Sequence, residues 1–112
     1  MDCLFCKIIA GQIPSRQVYQ DKQCFAFADI HPQAPIHFLI VPRKHVPSLA
    51  ETTEEHEALI GHLHVVAAEL AREHGLSKGY RTVINTGPDG GQTVDHLHVH
   101  LLGGRAMGWP PG

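Results

Sequence analysis

The chain has 112 residues, enough to bury one core and too few for two, and its formal net charge of -2, with no Lys/Arg cluster, gives no electrostatic footprint for nucleic acid or an acidic membrane surface. No apolar run approaches the roughly 20 residues that span a bilayer, and Met1-Asp2-Cys3 opens without the basic and apolar regions of a signal peptide, so a single cytoplasmic domain over residues 1–112 is expected. Three cysteines, an odd count, argue against a disulfide scaffold and leave plain thiols or a metal, while ten histidines spread from His31 to His100 are the one compositional oddity.

In chain order, the apolar residues at 4, 5, 8 and 9 before Gly11 predict a short helix lying on a sheet as a lid. Gln17 to Gln20 and Gln23 to Asp29 read as two strands joined across Asp21-Lys22 in a hairpin. Pro32 and Pro35 bracket a connection to Ile36-His37-Phe38-Leu39-Ile40-Val41, a nearly continuous apolar run expected of a central strand covered on both faces and stopped by Pro42. Residues 53 to 74 carry the clearest helical period, with Leu59, Leu63, Val66 and Leu70 on one stripe, Thr52 and Glu55 at capping-box spacing, and Gly75 as the stop. His56, His62, His64 and His74 in this helix are expected to be exposed or partly exposed, without a chemical role. Tyr80 to Asn85 is a further strand. Its glycine-rich connection leads to a last strand from about 95 to 102, completing an α+β domain: one mostly antiparallel sheet of about five strands, one long helix and one short N-terminal helix.

The last strand reads HLHVHLL. Alternation puts His96, His98 and His100 on one face and Leu97, Val99 and Leu101 on the other, so the apolar set anchors and the imidazoles are presented. The spacing is weak evidence alone in a chain this rich in histidine. One metal cannot use all three, because His96 and His100 lie about 13 Å apart along an extended strand while zinc–nitrogen bonds are about 2.0 Å. A metal held by two of them with a third ligand, or a nucleophilic His98 flanked by phosphate donors, both remain open, as does a structural strand. Backbone N–H groups of Gly90-Gly91-Gln92-Thr93, with the Thr93 hydroxyl, suggest an anion nest beside the histidines. Cys3-x-x-Cys6 in isolation is consistent with two unconnected thiols.

The strand from His96 to Leu102, preceded by GGQTVD and followed by GGRAMGWPPG, together with KIIAGQIPS, DIHPQAP and HFLIVPRKH, strongly resembles the histidine triad (HIT) proteins, specifically their Hint branch, over nearly the whole chain. The resemblance implies a homodimeric purine nucleoside phosphoramidase that cleaves the P–N bond of adenosine 5'-phosphoramidates and related aminoacyl adenylates. It makes His98 the nucleophile, His100 the phosphate contact, His96 the residue whose main-chain carbonyl orients the attacking ring, and His37 the fourth histidine beside it. Asn85 and the turn Gly91-Gln92-Thr93 match phosphate and leaving-group contacts. Asp29 matches the ribose-hydroxyl acceptor, Ile30 lies against the base, and Trp109 reaches toward the partner subunit's site. The leaving amine would take its proton with help from Thr93 or His100.

Some HIT proteins and the related galactose-1-phosphate uridylyltransferases pair an early CxxC with a histidine after the central strand and the first triad histidine. In this chain those positions are Cys3, Cys6, His45 and His96, which the resemblance makes a closed, structural Zn(2+) site; no cofactor is required for catalysis. Asp95 stands where the branch commonly has an aromatic residue and Gly108 replaces a bulkier one, both bearing on leaving-group preference. A dinucleoside polyphosphate hydrolase, or a nucleotide-binding regulatory protein with little turnover, are the rival expectations.

Overall fold

The computed structural model describes residues 3–112; the Met1-Asp2 opening lies outside the described residues. A short helix α1 (Leu4–Ile9) precedes the hairpin strands β1 (Gln17–Gln20) and β2 (Cys24–Ala28), then β3 (Ile36–Pro42), the long helix α2 (Glu57–Glu73), β4 (Tyr80–Val83) and β5 (Val99–Gly103). The strands form one antiparallel sheet in the order β1-β2-β3-β5-β4, so the continuous apolar run of β3 occupies its centre, as its sequence predicts. The resulting α+β architecture matches the expected HIT-like fold.

Strand alternation gives the sheet two unlike faces. Ala26, Phe38, Ile40, Leu97, Val99 and Leu101 meet Leu63, Val66, Ala67, Leu70 and Ala71 of α2 in the larger core. Each fully buried leucine of that set contributes roughly 1.5–3 kcal/mol relative to leaving it in water. On the opposite face Phe25, Phe27, Leu39 and Val41 pack beneath Phe5 and Ile8 of α1, which lies on the sheet as expected. Gly75, with φ +72°, supplies the left-handed residue that ends α2.

Strand β4 ends at Val83, two residues before the expected Asn85, and β2 is one residue shorter at each end than expected; two further boundaries differ for reasons the structure shows. The start of α2 is a 3-10 turn over Glu54–His56 capped one residue later than the Thr52 reading, at Thr53, whose backbone N–H donates to Nδ1 of His56 at 3.0 Å. His56 is buried with its Nδ1 satisfied by that bond, where an exposed or partly exposed ring was expected. The last strand joins the ladder only at Val99, not near residue 95, because the backbone before it is occupied elsewhere: the Leu97 N–H donates to the Val46 carbonyl at 2.7 Å, and the His96 N–H to Val94 at 2.9 Å.

Candidate active site and metal centre

The late start of β5 has a chemical result. Because the chain at His96 is outside the ladder, its carbonyl accepts the Nδ1–H of His98 at 2.7 Å. A carbonyl oxygen only accepts, so the proton of His98 is on Nδ1 and the lone pair is on Nε2. The ring is 5% exposed and stands 5.0 Å from Phe5, edge to face.

The same reasoning fixes the neighbouring rings. The backbone N–H of Gln33 donates to Nδ1 of His37 at 3.0 Å, so a neutral His37 carries its proton on Nε2. That nitrogen lies 2.9 Å from Nδ1 of His100 and 3.5 Å from Oδ2 of Asp29. It donates to His100, whose own proton is therefore on Nε2. His98 and His100, with ring centroids 5.0 Å apart, thus offer a lone pair and an N–H from adjacent positions. Burial pushes His37 and His98 below the ordinary imidazole range, against the pull of Asp29 and, for His98, of the His96 carbonyl. Burial, with His98 and His37 nearby, brings His100 to about 4. All three are neutral at pH 7, the state a nitrogen nucleophile needs.

These groups open into a cleft of about 300 Å³. Phe5, Ile8, Phe27, Ile30 and Leu39 give it apolar walls, and Asp29, Thr93, His98 and His100 gather its polar groups. Asp29 is held by the His31 N–H, which donates to Oδ1 at 2.8 Å.

Residues 85–94 behave differently from the expected nest. The N–H groups of Gly91 and Gln92 are spent on the carbonyls of Pro88 and Gly87 at 3.1 and 3.0 Å. The Gln92 amide staples the loop: Nε2 donates to Pro47 and Val94 carbonyls, and Oε1 accepts from the Gly87 N–H. Asn85 Nδ2 donates to the Gly90 carbonyl at 2.8 Å, and a Cβ at Gly90 would collide with the Thr86 carbonyl. Of this segment it is Thr93 and Val94 that line the cleft. Trp109 is exposed on the C-terminal tail and does not line the cleft of its own chain.

Behind the triad, Cys3, Cys6, His45 and His96 converge. A tetrahedral zinc with sulfur at about 2.3 Å and nitrogen at about 2.0 Å sets ligand edges of roughly 3.3 Å between nitrogens and 3.5 Å between nitrogen and sulfur. His45 and His96 Nδ1 are 3.2 Å apart, Cys3 Sγ is 3.3 Å from His96, and Cys6 Sγ is 3.4 Å from His45 and 3.7 Å from His96. The Nε2–H of His96 donates to the Pro42 carbonyl at 2.8 Å, which leaves Nδ1 as the lone pair facing the cluster. Donor chemistry, distances and tautomer all suit zinc, with four protein ligands closing its shell. Two other groups, Asp21/Cys24/His62 and Asp29/His37/His100, also bring three donors together. In each, a carboxylate and a histidine already engage one another, at 2.6 Å for Asp21 and His62.

The structure therefore brings His98, His100, Asp29, Ile30 and Thr93 to one cleft, with His37 buried behind His100 and Asp29, and Cys3, Cys6, His45 and His96 to one cluster behind it. Sequence reasoning missed three contributors. Phe5 packs edge-on against both His96 and His98, and the amphipathic pattern of α1 could have suggested a buried face there. The Gln33 N–H carries no side-chain signal at all. Arg105, whose guanidinium donates to the Gln33 carbonyl, looks from sequence like any exposed tail cation.

The family model of the HIT domain matches residues 10–107. An uncharacterized HIT-like protein of Synechococcus elongatus is 56% identical over 111 residues, covering 99% of this chain and 97% of the relative. The crystal structure of a HIT family hydrolase from Legionella pneumophila superposes with a TM-score of 0.97 at 49% identity, covering 99% of this chain and 100% of that one. A zinc-bound histidine triad family protein from Mycobacterium smegmatis, 35% identical, superposes with a TM-score of 0.81 over 94% of this chain and 76% of its own. With the family match spanning most of its length and relatives this similar over nearly all of it, the chain belongs to the HIT family.

Proposed function

We propose that this single-domain chain is a purine nucleoside phosphoramidase of the Hint branch, acting through a nucleotidyl-His98 intermediate. The observation that carries the reading is the 2.7 Å bond from His98 Nδ1–H to the His96 carbonyl, which leaves Nε2 as a lone pair held in the cleft. Nε2 attacks the phosphorus of an adenosine 5'-phosphoramidate; the new P–N bond forms as the old one breaks, and the amine leaves with a proton supplied with help from Thr93 or His100. The Nε2–H of His100 donates to a phosphoryl oxygen as charge builds there. Water then attacks phosphorus, the phosphorus–Nε2 bond breaks, and the nucleoside monophosphate is released. The apolar walls around Ile30 take an AMP- or GMP-type base, and Asp29 accepts from the ribose hydroxyls. Asn85, Gly91 and Gln92 act by holding Thr93 at the phosphate.

Cys3, Cys6, His45 and His96 hold a structural zinc. When bound, it would tie α1 to the triad strand and steady the His96 carbonyl, with no part in bond making. The zinc-bound M. smegmatis relative supports this assignment. A homodimer is supported by the edge of β4, whose ladder partner among the described residues is β5, and by the exposed Val65, Tyr80 and Trp109. Trp109 reaches the partner's site in that assembly. Among the described residues no helix is long and apolar enough to cross a membrane.

The test is to mix the protein with an adenosine 5'-phosphoramidate, follow amine release, and seek an AMP adduct by intact mass. Turnover that His98→Ala abolishes supports the reading. Cleavage of diadenosine polyphosphates in preference, or nucleotide binding without turnover, would replace it with one of its rivals.

A further inference from the structure

We propose that Arg105 is a positioning residue for this site: acting through the Gln33 backbone, it fixes which nitrogen of His37, and through His37 which nitrogen of His100, carries the proton. The inference rests on the phosphoramidase reading only for its kinetic consequence. The tautomers follow from hydrogen bonds alone.

The chain of contacts is continuous. Arg105 Nε and Nη2 both donate to the Gln33 carbonyl, at 3.1 and 2.9 Å, while Nη1 donates to Ala106 at 3.1 Å. The Gln33 N–H donates to His37 Nδ1 at 3.0 Å, and His37 Nε2–H to His100 Nδ1 at 2.9 Å. Gln33 lies between Pro32 and Pro35, neither of which has an N–H to offer. The segment is exposed from Ile30 to Gln33; the His31 N–H to Asp29 and Gln33 Nε2 to His31 bonds hold it locally, and the forked guanidinium contact ties it to the C-terminal tail.

The alternative tautomer cannot coexist with this backbone. A His37 protonated on Nδ1 would set N–H against the Gln33 N–H, and its bare Nε2 would face His100 Nδ1, which would then have to carry the proton. His100 would turn a lone pair, not a donor, toward a phosphoryl oxygen that is gaining charge. Arg105 thus acts three contacts away from His100 and four from phosphate. Its removal should lower the fraction of correctly protonated His100 while leaving the His98–His96 contact intact.

Long-range proton–nitrogen spectra of the ¹⁵N-labelled, zinc-loaded protein read each histidine tautomer directly. In the wild type, His37 and His100 are expected protonated on Nε2 and His98 on Nδ1. Arg105→Ala should give His100 a mixture of tautomers, leave His98 unchanged, and lower kcat for an adenosine phosphoramidate by about tenfold, as loss of an orienting partner does. KM should stay within about twofold, the signature of an interaction made in the transition state. Arg105→Lys, a point charge without the fork, should fall between the two and guards against a folding defect in the alanine variant. Wild-type His100 protonated on Nδ1 would overturn the proposal, as would Arg105→Ala with unchanged tautomers and kcat. Wild-type protein that shows the expected tautomers but cleaves no phosphoramidate sinks the reaction and leaves the positioning role standing.

Discussion

The two faces of one sheet differ more than any two elements of this chain. Residues that alternate along β3 and β5 send Phe38, Ile40, Val99 and Leu101 to a dry interface with α2, and His37, Leu39 and His100 to the side that opens into the cleft. The first face tolerates no polar atom without a partner. The second is built from polar atoms whose partners are one another or a backbone group, and it keeps one lone pair, on His98 Nε2, for chemistry. Neighbouring residues 3.3 Å apart along a strand can therefore serve stability and reactivity separately.

Substitutions on the two faces should separate those properties. The largest effect belongs to His98→Ala, expected to reduce phosphoramidate turnover by about 10⁴-fold or more while the protein keeps its circular dichroism and binds nucleotide. On the other face, Leu63→Ala should cost about 2–5 kcal/mol in urea unfolding and leave kcat of the folded fraction unchanged. Cys3→Ser sits between the regimes, since it should abolish stoichiometric zinc by metal analysis and lower turnover by roughly 10–100-fold through the loosened His96 carbonyl. Metal-free wild-type protein retaining full activity would contradict that link.

A pH series sharpens the same contrast. His100 titrates at about 4 in the folded chain against 6.5 unfolded, and His37 is shifted in the same direction. Between those values the unfolded state binds more protons, so stability should be full above about pH 7 and fall as pH drops from 6.5 toward 4. Thermal melts across that window measure it. The smallest effect is expected of His64→Ala on the exposed side of α2, within about 0.5 kcal/mol.

How far the sequence reached follows from where information is carried. The β1–β2 hairpin, the α2 stripe and the central place of β3 are legible because hydrophobic period and chain economy leave few alternatives. The four zinc-type ligands and the separate roles of the triad were readable only through the resemblance to HIT proteins, since one CxxC and alternate histidines are weak signals by themselves. What was not readable is carried by backbone groups: the Gln33 N–H and the internal bonds that occupy the Gly91 and Gln92 N–H groups, while the role of the His96 carbonyl was reached through the resemblance alone. Side-chain identity does not encode which main-chain atom will be free.

Helix α1 has only six residues, far fewer than the roughly 12–15 at which a helix becomes marginal in isolation. It is nevertheless the element that carries Cys6, wedges Phe5 against the triad and forms one wall of the cleft. Its order is therefore borrowed from its contacts with the sheet and the Cys/His cluster. Its amides should exchange with solvent through local opening at a free energy below that of global unfolding, and a nucleotide seated against Phe5 and Ile8 should slow that exchange before it alters any amide in β3.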